Sequence, residues 1–398
     1  MQSGREQQID SPDAGAMRTE SMRELIAVFL RLGLTAFGGP AAHVSMMEDE
    51  FVTRRRWLSR QDFLDILGAA NLIPGPNSTE MAIHIGFRRA GLHGFAIGGA
   101  CFILPAVVIV MMVSWVYVQY GTLPQAAGML HGIKPVIMII ILQALWKLGR
   151  LALKDWYLVV VAAASIVLNL WGVNEIVVLA VAGILVLFAR GVSTRAIRNT
   201  TPALVIGALP LGVWTSASAA SGVAVPASLS ALFLFFLKVG GVLFGSGYVL
   251  LAFIRADLVE RWHWLTEAQL LDAIAIGQIT PGPLFTSATF IGYILAGPWG
   301  AAVATTGIFL PAFIYVALSI PLLPRLRKSA RFAAALDGIN AGSLALMAVV
   351  SWRLGYAAMA DWMSIAIACA TAVLLIRYRV NSTWLVIGGG LVGLLFVR

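Results

Sequence analysis

The sequence predicts an all-α, polytopic integral membrane protein made of two homologous halves. Three observations carry that prediction: an apolar composition, apolar tracts that recur along the chain, and an internal repeat at a nearly constant offset. Of 398 residues, 59% are apolar and 12% charged, and the mean hydropathy is +0.86, values outside the range of ordinary soluble cores. Tracts at 94–118, 134–146, 156–171, 175–189 and 384–397 are almost free of charge. Some reach the roughly 20 residues that span a bilayer; others, of about 15, need tilt or flanking residues.

Along the chain, residues 1–23 mix Glu6, Asp10, Asp13 and Glu20 with Arg5, Arg18 and Arg23 and have no apolar core. This argues against a cleaved signal peptide and suggests a disordered tail. Cys101 and Cys369 each sit in an apolar segment without CxxC or metal spacing, and read as small hydrophobes. The net charge of +9 does not indicate nucleic acid, because the bases fall in short clusters between apolar segments (Arg54–Arg56, Arg88 and Arg89, Arg195 and Arg198, Arg325–Arg331). Anchoring beside a lipid bilayer explains them.

Shifted by 207 residues, FLRLGLTAFGGP (29–40) lies over FLKVGGVLFGSG (236–247), and PGP at 74–76 lies over PGP at 281–283. After one deletion the offset becomes 206, and FILP (102–105) meets IFLP (308–311) while WKLG (146–149) meets WRLG (352–355). The expected organisation is a first repeat over 24–190, a connecting segment over 191–229 and a second repeat over 230–398. The loop VQYGTLPQAAG has no basic residue where PLLPRLRKSAR has four, and LNLWGVNE has none where IRYRVN has two. Opposite charge bias at equivalent loops predicts inverted topology. Lys147 and Arg353, equivalent and both basic, then lie on different sides unless one faces the interior. Segments 24–45, 62–90, 230–250 and 268–296 read either as full passes or as re-entrant hairpins, for about 10–12 membrane helices or half-helices.

Duplicated membrane halves suggest a secondary transporter, with its site at the repeat interface between discontinuous helices. One PGP is more often a kink than a site. A matched pair (Pro74, Gly75, Pro76 and Pro281, Gly282, Pro283) points to unwound backbone, which lipid does not tolerate unless it lines a cavity. The helix resuming after each break aims N–H groups and a positive dipole end at the gap, which suits an anion. FGGP and FGSGY, with Gly38, Gly39, Gly245 and Gly247, read equally as an oxyanion cradle or as close packing through small residues. Arg31 and Lys238 are equivalent cations in apolar runs, read either as substrate-binding charges or as snorkelling side chains.

Asn71, Asn77, Gln278 and His43 are candidate polar liners. Glu80 and His84, one turn apart, are candidates for proton coupling, although the second half has Ser287 and Ile291 there. Asp65 and Asp272, near helix starts capped by Ser59 and Thr266, read as servants of the first helical turns. Nothing resembles a nucleotide loop, a zinc site or a catalytic triad, so neither cofactor, nor metal, nor enzymatic activity is expected.

The stretch LTAFGGPAAHVSMMEDEFVTRRRWLSRQDFLDILGAANLIPGPNSTEMAIHIGFRRAG, with FGSGYVLLAFI and GQITPGPLF, closely resembles the signatures of the chromate ion transporter family in its long, two-domain form. The resemblance covers nearly all of the chain after residue 24. Ser246 and Ala252 depart from the family's usual second motif, FGGGY followed by a proline. The resemblance implies chromate efflux and chromate resistance at the inner membrane, with sulfate as the chemical look-alike. The rival expectations are a sulfate or other oxyanion permease and, from another class, an integral membrane enzyme or lipid-handling protein. A homodimer is left open.

Overall fold

The computed structural model describes residues 12–37, 39–121, 123–190, 227–244, 247–326, 329–359 and 361–396, and every regular element among them is helical. The first half comprises α1 (Pro12–Thr35), α2 (Pro40–Glu48), α3 (Arg60–Ala70), α4 (Asn77–Tyr120), α5 (Pro124–Ala152), α6 (Trp156–Leu170) and α7 (Glu175–Ala189). The second repeats the order as α8 (Leu229–Val242), α9 (Leu250–Ile254), α10 (Glu267–Ile279), α11 (Ser287–Leu326), α12 (Ala330–Ala358), α13 (Trp362–Ile376) and α14 (Ser382–Phe396). The tail expected to be disordered over 1–23 is helical from Pro12 onward, because the residues after Gly15 are mostly good helix formers. Residues 1–11, and the connecting segment as far as 226, lie outside the described residues.

The repeat extends to backbone angles. Gly75 and Gly282 of the two PGP motifs both take positive φ, 139° and 96°. Arg56 and His263 match at 54° and 53°, and Ala90–Gly91 and Ala296–Gly297 interrupt their helices with the same pair of conformations.

Each half opens with two helical hairpins. In the first, α1 rises to Phe37 and the chain returns through α2 and a π-helical turn, Asp49–Arg54. Ala36 against His43, Phe29 against Phe51 and Glu24 against Arg55 mark its antiparallel arms. Its tip is FGGP, where Gly39 sits at φ 82° and Pro40 starts α2 at a position needing no N–H. In the second, α3 and the first arm of α4 flank PGP. Asp62 and Arg88 join the far ends at 3.1 Å, and Asn77 donates to Asn71 at 2.6 Å beside the tip.

At Ala90–Gly91 the chain folds back, so α4 is two antiparallel arms, 77–89 and 92–120. Gly86 and Gly94 allow the arms to touch, and a methyl on either would overlap the other's carbonyl. The second half repeats both hairpins, with Gly292 against Gly300. The two alternatives open in the sequence thus resolve to chain-reversing hairpins in all four segments. Among the described residues four helices, Asn77–Tyr120, Pro124–Ala152, Leu284–Pro321 and Arg331–Ala358, are long and apolar enough to cross a membrane, and five shorter apolar helices accompany them.

Helices α5 and α12, equivalent in the two halves, pack antiparallel. Along α5 and α12, Met138 meets Gly355 and Gly149 meets Leu344. Residue numbers rise on one helix as they fall on the other, so the pseudo-twofold axis runs across the helices.

Candidate functional site

The four hairpin tips converge on one cavity of about 570 Å³. Gly75 donates its N–H to the Leu243 carbonyl at 2.8 Å and Gly282 donates to Ala36 at 2.9 Å, so each PGP tip is stitched to the glycine-rich tip of the other half. The Ala36 carbonyl also accepts from His43 Nε2 at 2.9 Å, which makes Nδ1 the acceptor for the Ser78 hydroxyl at 3.2 Å. On the other side, Gln278 donates to the Tyr248 hydroxyl at 2.7 Å. These bonds hold four glycine- and proline-bearing turns around a space that regular helices would otherwise fill.

Of the residues singled out in the sequence, Gly39, Asn71, Gly75, Pro76, Asn77, Gly247, Gln278, Pro283 and His43 line this cavity. Pro74, Pro281 and Gly282 are absent from its lining; they shape the turns from behind. Gly38 and Gly245 lie outside the described residues. Helices α2 and α4 begin at the cavity without a side-chain cap, so their first N–H groups have no side-chain acceptor. Both helix starts therefore present positive dipole ends to the cavity.

The charges are arranged differently from the sequence expectation. Arg31 and Lys238 are not brought to the cavity. Arg31 pairs with Glu50 at 2.5 Å, and Glu50 also holds Arg54 and Arg55; Lys238 pairs with Asp257 at 2.5 Å, and Asp257 also holds Arg261. A signal for these pairings exists in the sequence, since Glu50 and Asp257, and Arg54 and Arg261, recur at the same 207-residue offset. The cation that does line the cavity is Lys147, from α5. It has no acidic partner among the described residues. Its repeat counterpart Arg353 instead donates to Glu260 at 2.8 Å. Gln143, Tyr248 and Ser382 are further liners that sequence reasoning missed.

Glu80 lies behind the first tip, fully buried, with neither carboxylate oxygen hydrogen-bonded. Its Oε1 rests against Gly75, beside Ala312 of α11. His84, also buried, meets the Ser319 hydroxyl at 3.3 Å. Ser59 and Thr266 cap α3 and α10 as expected. Asp272, however, does not serve its first turn: it is buried, accepts from Tyr117 at 2.8 Å and pairs with Lys134 at 3.0 Å. Helices α4 and α5 approach this side of α10, and a buried carboxylate needs such partners.

A family model described as chromate transporter matches residues 23–187 and again 230–394. A chromate transport protein of Cupriavidus metallidurans is 30% identical over 397 residues, covering 97% of this chain and 96% of that protein. One from Pseudomonas aeruginosa is 32% identical over 332 residues, covering 82% and 79%. A probable chromate transport protein of Synechococcus elongatus is 29% identical over 345 residues, covering 86% of each. No solved structure matches.

Proposed function

The chain belongs to the chromate transporter family, and on that premise we propose that it is a secondary transporter exporting chromate across the inner membrane, which confers chromate resistance. The observation that carries this is Lys147, a cation without an acidic partner among the described residues, in a cavity bounded by both PGP tips and two uncapped helix starts. A tetrahedral dianion suits that arrangement. Lys147 supplies charge, the helix starts supply N–H donors, and Asn71 and Gln278 supply amides for orientation.

The two halves face opposite ways across the bilayer. The antiparallel packing of α5 on α12 supports this, and so does the basic loop Arg377–Arg379, which falls at the Lys147 end of the molecule. The positive-inside rule assigns that end to the cytoplasm. A dianion leaving a cell negative inside gains about 2.3 kcal/mol per charge per 100 mV, roughly 4.6 kcal/mol in all. At about 1.4 kcal/mol per tenfold gradient, the potential alone sustains roughly a thousandfold outward gradient. Uptake of the same dianion needs coupled cations, for which Glu80 and His84 form the candidate route.

Chromate and sulfate share charge and shape, and amides with one lysine read both, so a sulfate or other oxyanion permease is the second reading. The test is labelled chromate flux in everted vesicles, with potential and pH gradients imposed separately. An inside-positive potential should drive chromate in, and sulfate should compete weakly. Absence of potential-driven flux overturns the export reading, and stronger competition by sulfate replaces chromate as the substrate.

A further inference from the structure

A larger cavity, of about 1130 Å³, opens beside the tip cavity and shares Gln143, Lys147 and Ser382 with it. It adds Arg379 and Asn381, and no acidic residue is among its described liners. Arg379, like Lys147, has no ion pair among the described residues. It also holds a left-handed backbone, φ 53°, where the first half places Gly172 at φ 81°.

The repeat supplies an internal control. At the opposite end lies the counterpart cavity, about 470 Å³, in which Gly172, Asn174, Glu175 and Arg353 occupy the positions of Arg379, Asn381, Ser382 and Lys147. There the cations are matched by acids. Arg353 donates to Glu260 at 2.8 Å, Arg255 donates to Glu260 at 2.5 Å and to Glu267 at 2.6 Å, and Glu175 lies alongside. The same architecture is therefore cationic at one end and ion-paired at the other.

We infer that Arg379 and Lys147 form a vestibular site that recruits a divalent tetrahedral oxyanion and passes it to the tip cavity, and that the ion-paired counterpart does not recruit. The inference rests on the oxyanion reading of the tip cavity. A cleft lined by one sign of charge raises the local concentration of its counter-ion, whereas an ion-paired cleft does not.

The matched asparagines allow a test that does not depend on transport. Both cap helices, Asn174 bonding the Ile176 N–H and Asn381 the Thr383 N–H, so replacing either by cysteine removes the same kind of cap. In full-length protein carrying Cys101→Ala and Cys369→Ala, reconstituted in nanodiscs, Asn381→Cys and Asn174→Cys are each reacted with anionic and cationic methanethiosulfonates. The anionic-to-cationic rate ratio should be about tenfold higher at 381 than at 174. Arg379→Gln should remove most of that difference, and millimolar sulfate should slow labelling at 381 only. Equal ratios at the two positions, or a ratio unmoved by Arg379→Gln, overturn the site. A preference that vanishes when the nanodisc contains phosphatidylglycerol assigns the cations to lipid phosphate and overturns it too. Loss of chromate flux with the labelling preference intact sinks the transport reading alone; flux without the preference sinks the vestibule alone.

Discussion

Gly282 faces the Ala106 methyl so closely that a Cβ on it would stand 2.6 Å away. Ala106 belongs to the first half and Gly282 to the second, so this contact is part of the seam between them. Gly282→Ala incurs both the strain of φ 96° and this overlap, together about 2–4 kcal/mol. The variant should melt several degrees lower in detergent and lose flux. Adding Ala106→Gly removes the overlap but not the strain, so the double variant should melt between the single variant and wild type. A double variant no better than the single one removes the contact as the cause.

The matched ion pairs predict unequal costs. Arg31 is 44% exposed and Glu50 keeps Arg54 and Arg55 without it, so Arg31→Gln should cost less than about 1 kcal/mol. Lys238 is 10% exposed, and removing it leaves the buried Asp257 with Arg261 alone. Lys238→Met should therefore cost about 3 kcal/mol, and Asp257→Leu in the same chain should recover most of it. Thermal unfolding of the purified variants decides this. Equal losses from Arg31→Gln and Lys238→Met contradict the difference in burial.

Lys147 should behave in the opposite way, since its side chain is exposed to the cavity and has no ion pair among the described residues. Lys147→Gln should leave the melting midpoint within the range of surface substitutions, about 0.5 kcal/mol, while chromate flux at low concentration falls about tenfold or more. Lys147→Arg should keep most of the flux. Full flux in Lys147→Gln would detach the anion from this cavity.

The breaks were legible because proline and glycine act locally. Pro74 and Pro76 remove backbone donors wherever they stand, and their recurrence at 281 and 283 needs only an alignment of the chain with itself. Whether 62–90 crosses or returns was not legible, because both arms are apolar and Ala90–Gly91 reads as an ordinary helix interior. Lys147 was hidden for a different reason. Its facing depends on how α5 is rotated, and that is set where Gly128 and Gly132 of α5 meet Gly389 and Gly393 of α14, more than 250 residues away. A cation near the end of an apolar helix otherwise looks like a lipid anchor. Arg31 misled in the reverse direction, since its partner Glu50 lies 19 residues on and is brought back only by the hairpin.

Acid should weaken the protein partly through Asp361. The Ser364 N–H and hydroxyl bind its carboxylate at the start of α13, with His131 Nε2 a further partner at 2.8 Å, and they hold it below the usual aspartate range. A carboxyl lowered in the folded state contributes stability that is fully present above its unfolded value, about 3.9, and is lost as pH falls through the folded value. The melting midpoint of Asp361→Asn should thus lie below wild type at pH 7, and the gap should narrow below about pH 4. A gap of constant size from pH 7 to pH 3 rules this out.

Glu80 makes the two halves chemically unequal. Both carboxylate oxygens are buried without a hydrogen-bond partner, and the matching position of the second half holds Ser287. Leaving a carboxyl unpaired inside a protein costs several kcal/mol if it is charged, so such a group persists where exchanging a proton or meeting a cation is part of its task. His84, one turn further along and touching Ser319, is the next titratable group along the helix. Glu80→Gln keeps the shape and removes the titration. In everted vesicles it should leave the response of chromate flux to membrane potential intact, and abolish the response to an imposed pH gradient. His84→Gln should reduce that second response without removing it, because it interrupts the route but leaves the carboxyl in place. If both variants follow the pH gradient as wild type does, Glu80 is a packing group behind the first tip, and the pH response runs through other groups.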